Sequence, residues 1–69
     1  MTEHVYKKVE LTGTSNISSD DAVNNAIAKA SESLKNIDWF EVVEVTGSVR
    51  EDKVRYWQVT LKVGFRLLE

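Results

Sequence analysis

Three side chains in this sequence have the chemistry of ligand recognition: Trp39, Gln58 and Arg66. An indole offers a π face for stacking on a planar ring, worth about 0.5–1.5 kcal/mol beyond the area it buries. A glutamine amide carries both donors and an acceptor, which can match the polar edge of a heteroaromatic ring. The planar donor fork of arginine suits a phosphate. Together these types describe a ligand that is flat, polar at one edge and able to carry a phosphate. Glu41, Glu44 and Thr46 lie close to Trp39 in the chain and extend the candidate set. A plainer alternative stands beside this one, in which Trp39 fills a contact between subunits and Gln58 decorates a solvated strand. The residue types alone favour neither.

Catalytic and metal chemistry find no comparable grouping. The chain has no cysteine, so disulfides and thiolate metal sites are excluded, and its single histidine, His4, has no partner at a ligand spacing. The segment "LTGTS" holds one glycine and lacks the spacing of either phosphate-loop fingerprint. Carboxylates are plentiful, but no pair stands out as an acid–base couple. The expectation is a binding protein and not an enzyme.

Trp39, Gln58 and Arg66 must be placed by strands. The clearest signal in the chain is "WQVTLKVGFRL": Trp57, Val59, Leu61, Val63, Phe65 and Leu67 alternate with Gln58, Thr60, Lys62, Gly64 and Arg66. One face of this strand, predicted over 54–67, is therefore apolar and the other polar. The strand before it, predicted over 39–50, slips in mid-course. Phe40 and Val42 are even, whereas Val43 and Val45 are odd. One extra residue near Val42–Val43, a β-bulge, reconciles the two halves. Phe40, Val42, Val45 and Val49 then face a helix, while Trp39, Glu41, Glu44, Thr46 and Ser48 face outward with Gln58 and Arg66. Trp57 falls on the core side.

The helix signal precedes these strands. Ser18 with Asp21 resembles a capping box, and Asp20 and Asp21 complement the positive amino end. Val23, Ile27, Ala30, Leu34 and Ile37 follow at helical spacing, with Ala22 and Ala26 widening the stripe, so the helix is predicted over 19–36. A first strand is predicted over 5–11 and "TGTSNISS" as a polar connector. The fold class is α+β: a βαββ chain with a three-stranded antiparallel sheet in the order 1-3-2, partly wrapped around one helix. Residues 1–69 form a single domain.

An 18-residue helix spans about 27 Å, but a 14-residue strand spans about 46 Å. The final hairpin must overhang its helix and pack on something else, for which a neighbouring subunit is the natural cover. Size points the same way. With 69 residues and no disulfide, oligomerisation is the remaining means of completing a small core. The net charge of −2, from 11 acids and 9 bases, argues against a phosphate-backbone binder, so no nucleic-acid partner is expected. No apolar stretch reaches membrane-spanning length and "MTEHVYKKVE" lacks a signal-peptide pattern, so a cytoplasmic location is expected.

"YKKVELTGTS", "LKNIDWFEV" and "YWQVTLKVGFRLLE", taken in order, resemble the dodecins, a family of small flavin-binding proteins. The resemblance covers nearly the whole chain, and the combination is more specific than any one piece. It implies a hollow homo-oligomer, a dodecamer of βαββ subunits. Pairs of flavins (FMN or riboflavin, with FAD a further candidate) would stack between symmetry-related tryptophans at two-fold contacts. It assigns the stacking role to Trp39 and ring-edge pairing to Gln58, with Arg66 near the site to meet a phosphate. Glu44 and Thr46 complete the set. Many bacterial members carry an arginine where this chain has Thr46, and losing that charge implies a shift towards riboflavin. Coenzyme A is a further candidate partner from the resemblance alone. The implied function is flavin storage with quenched photochemistry; the rival is an oligomeric assembly whose flavin site has weakened or been lost.

Overall fold

The computed structural model describes residues 3–68 and contains four elements: β1 (Tyr6–Ser15), α1 (Ser19–Ala30), β2 (Ile37–Arg50) and β3 (Lys53–Arg66). Both strand pairings are antiparallel and β3 lies between its neighbours, which gives the expected order 1-3-2. The residues with the cleanest alternation take the place where both edges are paired. Val59, Leu61 and Val63 of β3 are fully buried there.

β1 is longer than its sequence signal. Thr12–Ser15, expected in a connector, continue the ladder opposite Trp57–Thr60. A 14-residue β3 presents backbone donors and acceptors well beyond Leu61, the partner of Leu11, and polar side chains do not prevent the backbone from satisfying them. Ser15 then ties the strand to the helix. Its hydroxyl donates to Asp21 Oδ2 at 2.7 Å and accepts from the amides of Ile17 and Ser18. Ser18 caps the helix as its spacing suggested, accepting from the Asp21 amide at 3.0 Å.

The helix ends at Ala30, six residues short of the predicted Asn36. Ser31 turns its hydroxyl back onto the Ile27 carbonyl at 2.7 Å, a local bond that competes with helix continuation. The next amides bond back in a tight turn, and Asn36, at φ 64°, reverses the chain in the left-handed region that asparagine tolerates. Leu34 and Ile37 still reach the core, but from the turn and from β2. Their helical spacing was therefore a coincidence of packing. The buried centre of α1 is its alanine row, Ala22, Ala26 and Ala30, with Val23 and Ile27 only partly covered. Gly13 of β1 explains why small residues are needed. A Cβ there would collide with the Ala22 carbonyl and the Ala26 methyl, so glycine and alanine together bring helix and strand into close contact.

A 12-residue helix is only about 18 Å long, so the overhang is greater than the sequence suggested. α1 packs on β1 and β3. The side chains of β2 expected to face it do lie on its side of the sheet, but none is buried. Phe40 and Val42 border the helix across a cavity of about 330 Å³, whereas Val45 and Val49 lie beyond its end.

The β2–β3 hairpin closes through a two-residue loop, Glu51 and Asp52, at φ 53° and 66°. Both residues thus adopt the left-handed conformation of a type I′ turn, in which asparagine and glycine are favoured. Replacing the pair by Asn-Gly (E51N/D52G) is expected to stabilise the protein by about 1 kcal/mol. A lower urea midpoint in that variant would contradict this account of the turn.

Candidate functional site

The outward position of Trp39 depends on backbone irregularities in β2. Three register shifts interrupt the β2–β3 ladder, and the one between Val42 and Glu44 is the bulge the sequence called for, with Val43 the extra residue. Another, between Ile37 and Trp39, was not legible. Ile37 pairs with Phe65 and packs against the core, whereas Trp39 pairs with the adjacent Gly64. Asp38 is the extra residue. Without it Trp39 would share the face of Ile37, two residues before it.

Trp39 is 39% exposed and lies across Gly64 on the outer face. A Cβ added to Gly64 would meet Cε2, Cζ2 and Cη2 of the indole at nearly equal distances. Three consecutive ring atoms equidistant from one point place that point over the face of the ring, not at its edge. Gly64 is accordingly buried although it belongs to the outer side of an open sheet. Tyr6 packs against the indole in a tilted pair, with centroids 5.0 Å apart and planes at 68°. One face of the indole is thus closed by backbone, and the exposed area lies on the rest of the ring.

The other predicted residues share this outer face but divide between its ends. Arg66 lies two positions beyond Gly64 on β3, about 7 Å from it. It also borders a small cavity with Asn36, Ile37 and Asp38, and its amide donates to the Asn36 carbonyl. Gln58 lies six positions from Gly64 in the other direction, about 20 Å along the strand. It sits opposite Thr46, whose hydroxyl donates to the Gln58 carbonyl at 3.3 Å, and Glu44 is opposite Thr60 one step inward. Gln58 also lines a cavity of about 480 Å³ with Thr14, Ser15, Asn16, Asp21, Asn25 and Tyr56. Trp39 with Arg66, and Gln58 with Thr46 and Glu44, are therefore two groups, candidate half-sites, that a single planar ring cannot bridge within one chain.

Charged side chains occupy the space between the halves. Lys8 Nζ donates to Glu41 Oε1 across the intervening β3, linking the two edge strands. That hydrogen bond, and then the charge of Lys8, hold the Glu41 carboxyl below its ordinary value, with Lys62 adding a smaller effect. A depressed carboxylate contributes stability above its ordinary pKa and loses it as pH falls through the lowered one. Lys8→Met is expected to move the Glu41 titration upward, as read by carboxylate NMR. An unchanged midpoint would mean that the pair does not persist in solution.

Two residues of this face escaped sequence reasoning. Tyr6 carried no signal, because only pairing places it beside Trp39. Gly64 did carry one: an isolated glycine within an unbroken alternation marks close approach by another group. Among the described residues there is no cluster of histidine and carboxylates able to hold a metal, and no helix long and apolar enough to cross a membrane.

Comparison with known proteins places this geometry. The family model described as dodecin matches residues 5–68. The dodecin of Thermus thermophilus is 51% identical over 65 residues, which covers 94% of each chain. The structure of dodecin from Streptomyces coelicolor superposes with a TM-score of 0.92 at 48% identity, covering 100% of this chain and 99% of that one. Dodecin from Streptomyces davaonensis gives the same TM-score and identity over 99% of this chain and 100% of its own. Half the residues shared along nearly the full length, on one and the same βαββ backbone, settle the relationship: the chain belongs to the dodecin family.

Proposed function

We propose that this chain is a single-domain subunit of a homo-dodecameric flavin store. Its outer face stacks flavin on Trp39 and quenches the excited state of the bound ring. One observation carries the reading: a tryptophan lies on the outer face of the sheet with one π face closed by backbone, and 39% of its surface stays exposed for a planar ligand. The tryptophan that serves the subunit's own packing, Trp57, stands instead on the core side of β3.

The separation of the half-sites accounts for the assembly. Trp39 of one subunit and Gln58 of another can meet one ring where two outer faces are apposed, although the two lie about 20 Å apart within a chain. The amide of Gln58 would then pair with the polar edge of the ring, beside Glu44 and Thr46. When bound, flavin supplies the photochemistry, and the electron-rich indole in contact with it quenches that photochemistry by electron transfer. Nothing else in the process needs an acid, a base or a metal, so storage without turnover follows.

Riboflavin fits this chain better than its phosphorylated forms, FMN and FAD. Thr46 stands where many bacterial dodecins have arginine, and its hydroxyl is engaged by the Gln58 carbonyl, so this position offers no cation to a phosphate. Arg66 remains near Trp39 as the cation of the predicted set. The test is a fluorescence titration of riboflavin and FMN with purified, flavin-free protein. Quenching that saturates near one flavin per chain, with riboflavin bound at least as tightly as FMN, is expected. An intact oligomer that quenches neither would leave a shell without a flavin function.

A further inference from the structure

We infer that Gly64 is a positioning residue for the stacking platform: it provides the seat that lays the Trp39 indole flat on the sheet and sets the height and tilt of the face offered to the ligand. The inference rests on the reading of Trp39 as a flavin platform and extends it to a residue that need not touch the flavin.

Three observations combine. First, no glycine in the described chain has a positive φ, so the backbone at Gly64 is open to any residue and its conformation does not require glycine. What the position uses is the missing side chain. Second, the space of that side chain is taken by the face of the indole six-membered ring, with Cε2, Cζ2 and Cη2 nearly equidistant from where a Cβ would stand. A rigid ring cannot give way there as a flexible chain end could. It must lift, tilt or change rotamer. Third, Tyr6 packs against the indole at 5.0 Å and 68°, so movement of the ring towards it is hindered. The ring is held from beneath by Gly64 and braced by Tyr6, and the 39% of Trp39 that stays exposed is what a ligand can reach.

An aromatic ring covering a strand glycine also protects the backbone beneath it, and that effect alone would make the pair structural. The two roles separate by experiment. A structural role changes unfolding, whereas a seat changes contact between indole and flavin in protein that is still assembled. Gly64→Ala, purified flavin-free and checked for oligomer mass, is titrated with riboflavin beside the wild type. The expected result is a Kd raised by about tenfold, the scale of losing one aromatic stacking contact, with part of the bound-flavin fluorescence restored. Equal Kd and equal quenching in the two proteins would overturn the inference.

If Gly64→Ala does not assemble, the double variant Trp39→Ala/Gly64→Ala decides. Recovery of assembly once the indole is gone locates the clash between ring and methyl and supports the seat. Failure of the double variant as well would show that the glycine serves the backbone, and overturns it. A wild type that does not quench riboflavin would instead sink the storage reading. In that case the near-UV circular dichroism of Trp39, in a Trp57→Phe background, decides the seat. A band altered by Gly64→Ala supports it, and an unaltered band overturns it.

Discussion

Trp39→Ala is expected to weaken riboflavin binding by a factor of roughly 30 to 1,000, the range for an aromatic hot spot of about 2–4 kcal/mol. Whatever flavin remains bound should fluoresce. The fold should survive the change, because Trp39 lies outside the core cluster of Ala22, Ala26, Val59, Leu61 and Val63. Loss of binding with the oligomer intact is therefore the signature to look for, by light scattering and fluorescence titration on one sample. Trp57→Phe is the matching control. Trp57 lies on the core side of β3, opposite Gly47 and half-buried, so its truncation should lower the unfolding midpoint and leave quenching in place. Strong quenching retained in the Trp39 variant would end the assignment of that residue as the platform.

Val45→Asp is expected to dissolve the assembly while leaving the subunit able to fold. Val45 pairs with the fully buried Val59 on the core side of the sheet, yet it is 51% exposed because α1 stops short of it. With Val49, Val54 and Trp57 it lines an apolar cavity of about 270 Å³ on the overhanging hairpin. In an isolated subunit a carboxylate there would remain solvated, and exposed substitutions of this kind usually change stability by no more than about 0.5 kcal/mol. Covered by a neighbour, the same unpaired charge costs several kcal/mol in every subunit. Size-exclusion chromatography with light scattering should therefore show a shift from the proposed dodecamer to small species. Riboflavin binding should disappear with it, since Trp39 and Gln58 of one chain do not meet. A variant that keeps the mass of the wild type would mean that the overhang is not what joins the subunits.

Much of the fold and part of the site could be read from the chain itself. The alternation from Trp57 to Leu67 identified β3 and its central place, and the parity slip at Val42–Val43 located a bulge that the β2–β3 register contains. Ser18 announced the start of α1. These features are local: they follow from which neighbours in sequence share a face, and a strand or a cap displays that directly. The outer-face placement of Trp39, Gln58, Arg66, Glu44 and Thr46 was equally legible, because parity along β2 and β3 decides it once the bulge is known.

Other features depend on residues far apart in the chain. The end of α1 was misread because Leu34 and Ile37 continue a helical spacing, although a serine hydroxyl on the Ile27 carbonyl and a left-handed Asn36 had already turned the chain. The extension of β1 through Thr12–Ser15 depends on unpaired backbone in β3, not on the composition of β1 itself. The bulge at Asp38, the seat of Trp39 on Gly64 and the distance between the half-sites all follow from cross-strand register. Gly64 is 25 residues from Trp39 in the sequence and directly beneath it in the sheet. By itself, then, the sequence determined the element types, the sheet order and the face on which each candidate side chain stands. Only the tertiary structure decided which of them meet, because strand pairing brings together residues that no local period relates.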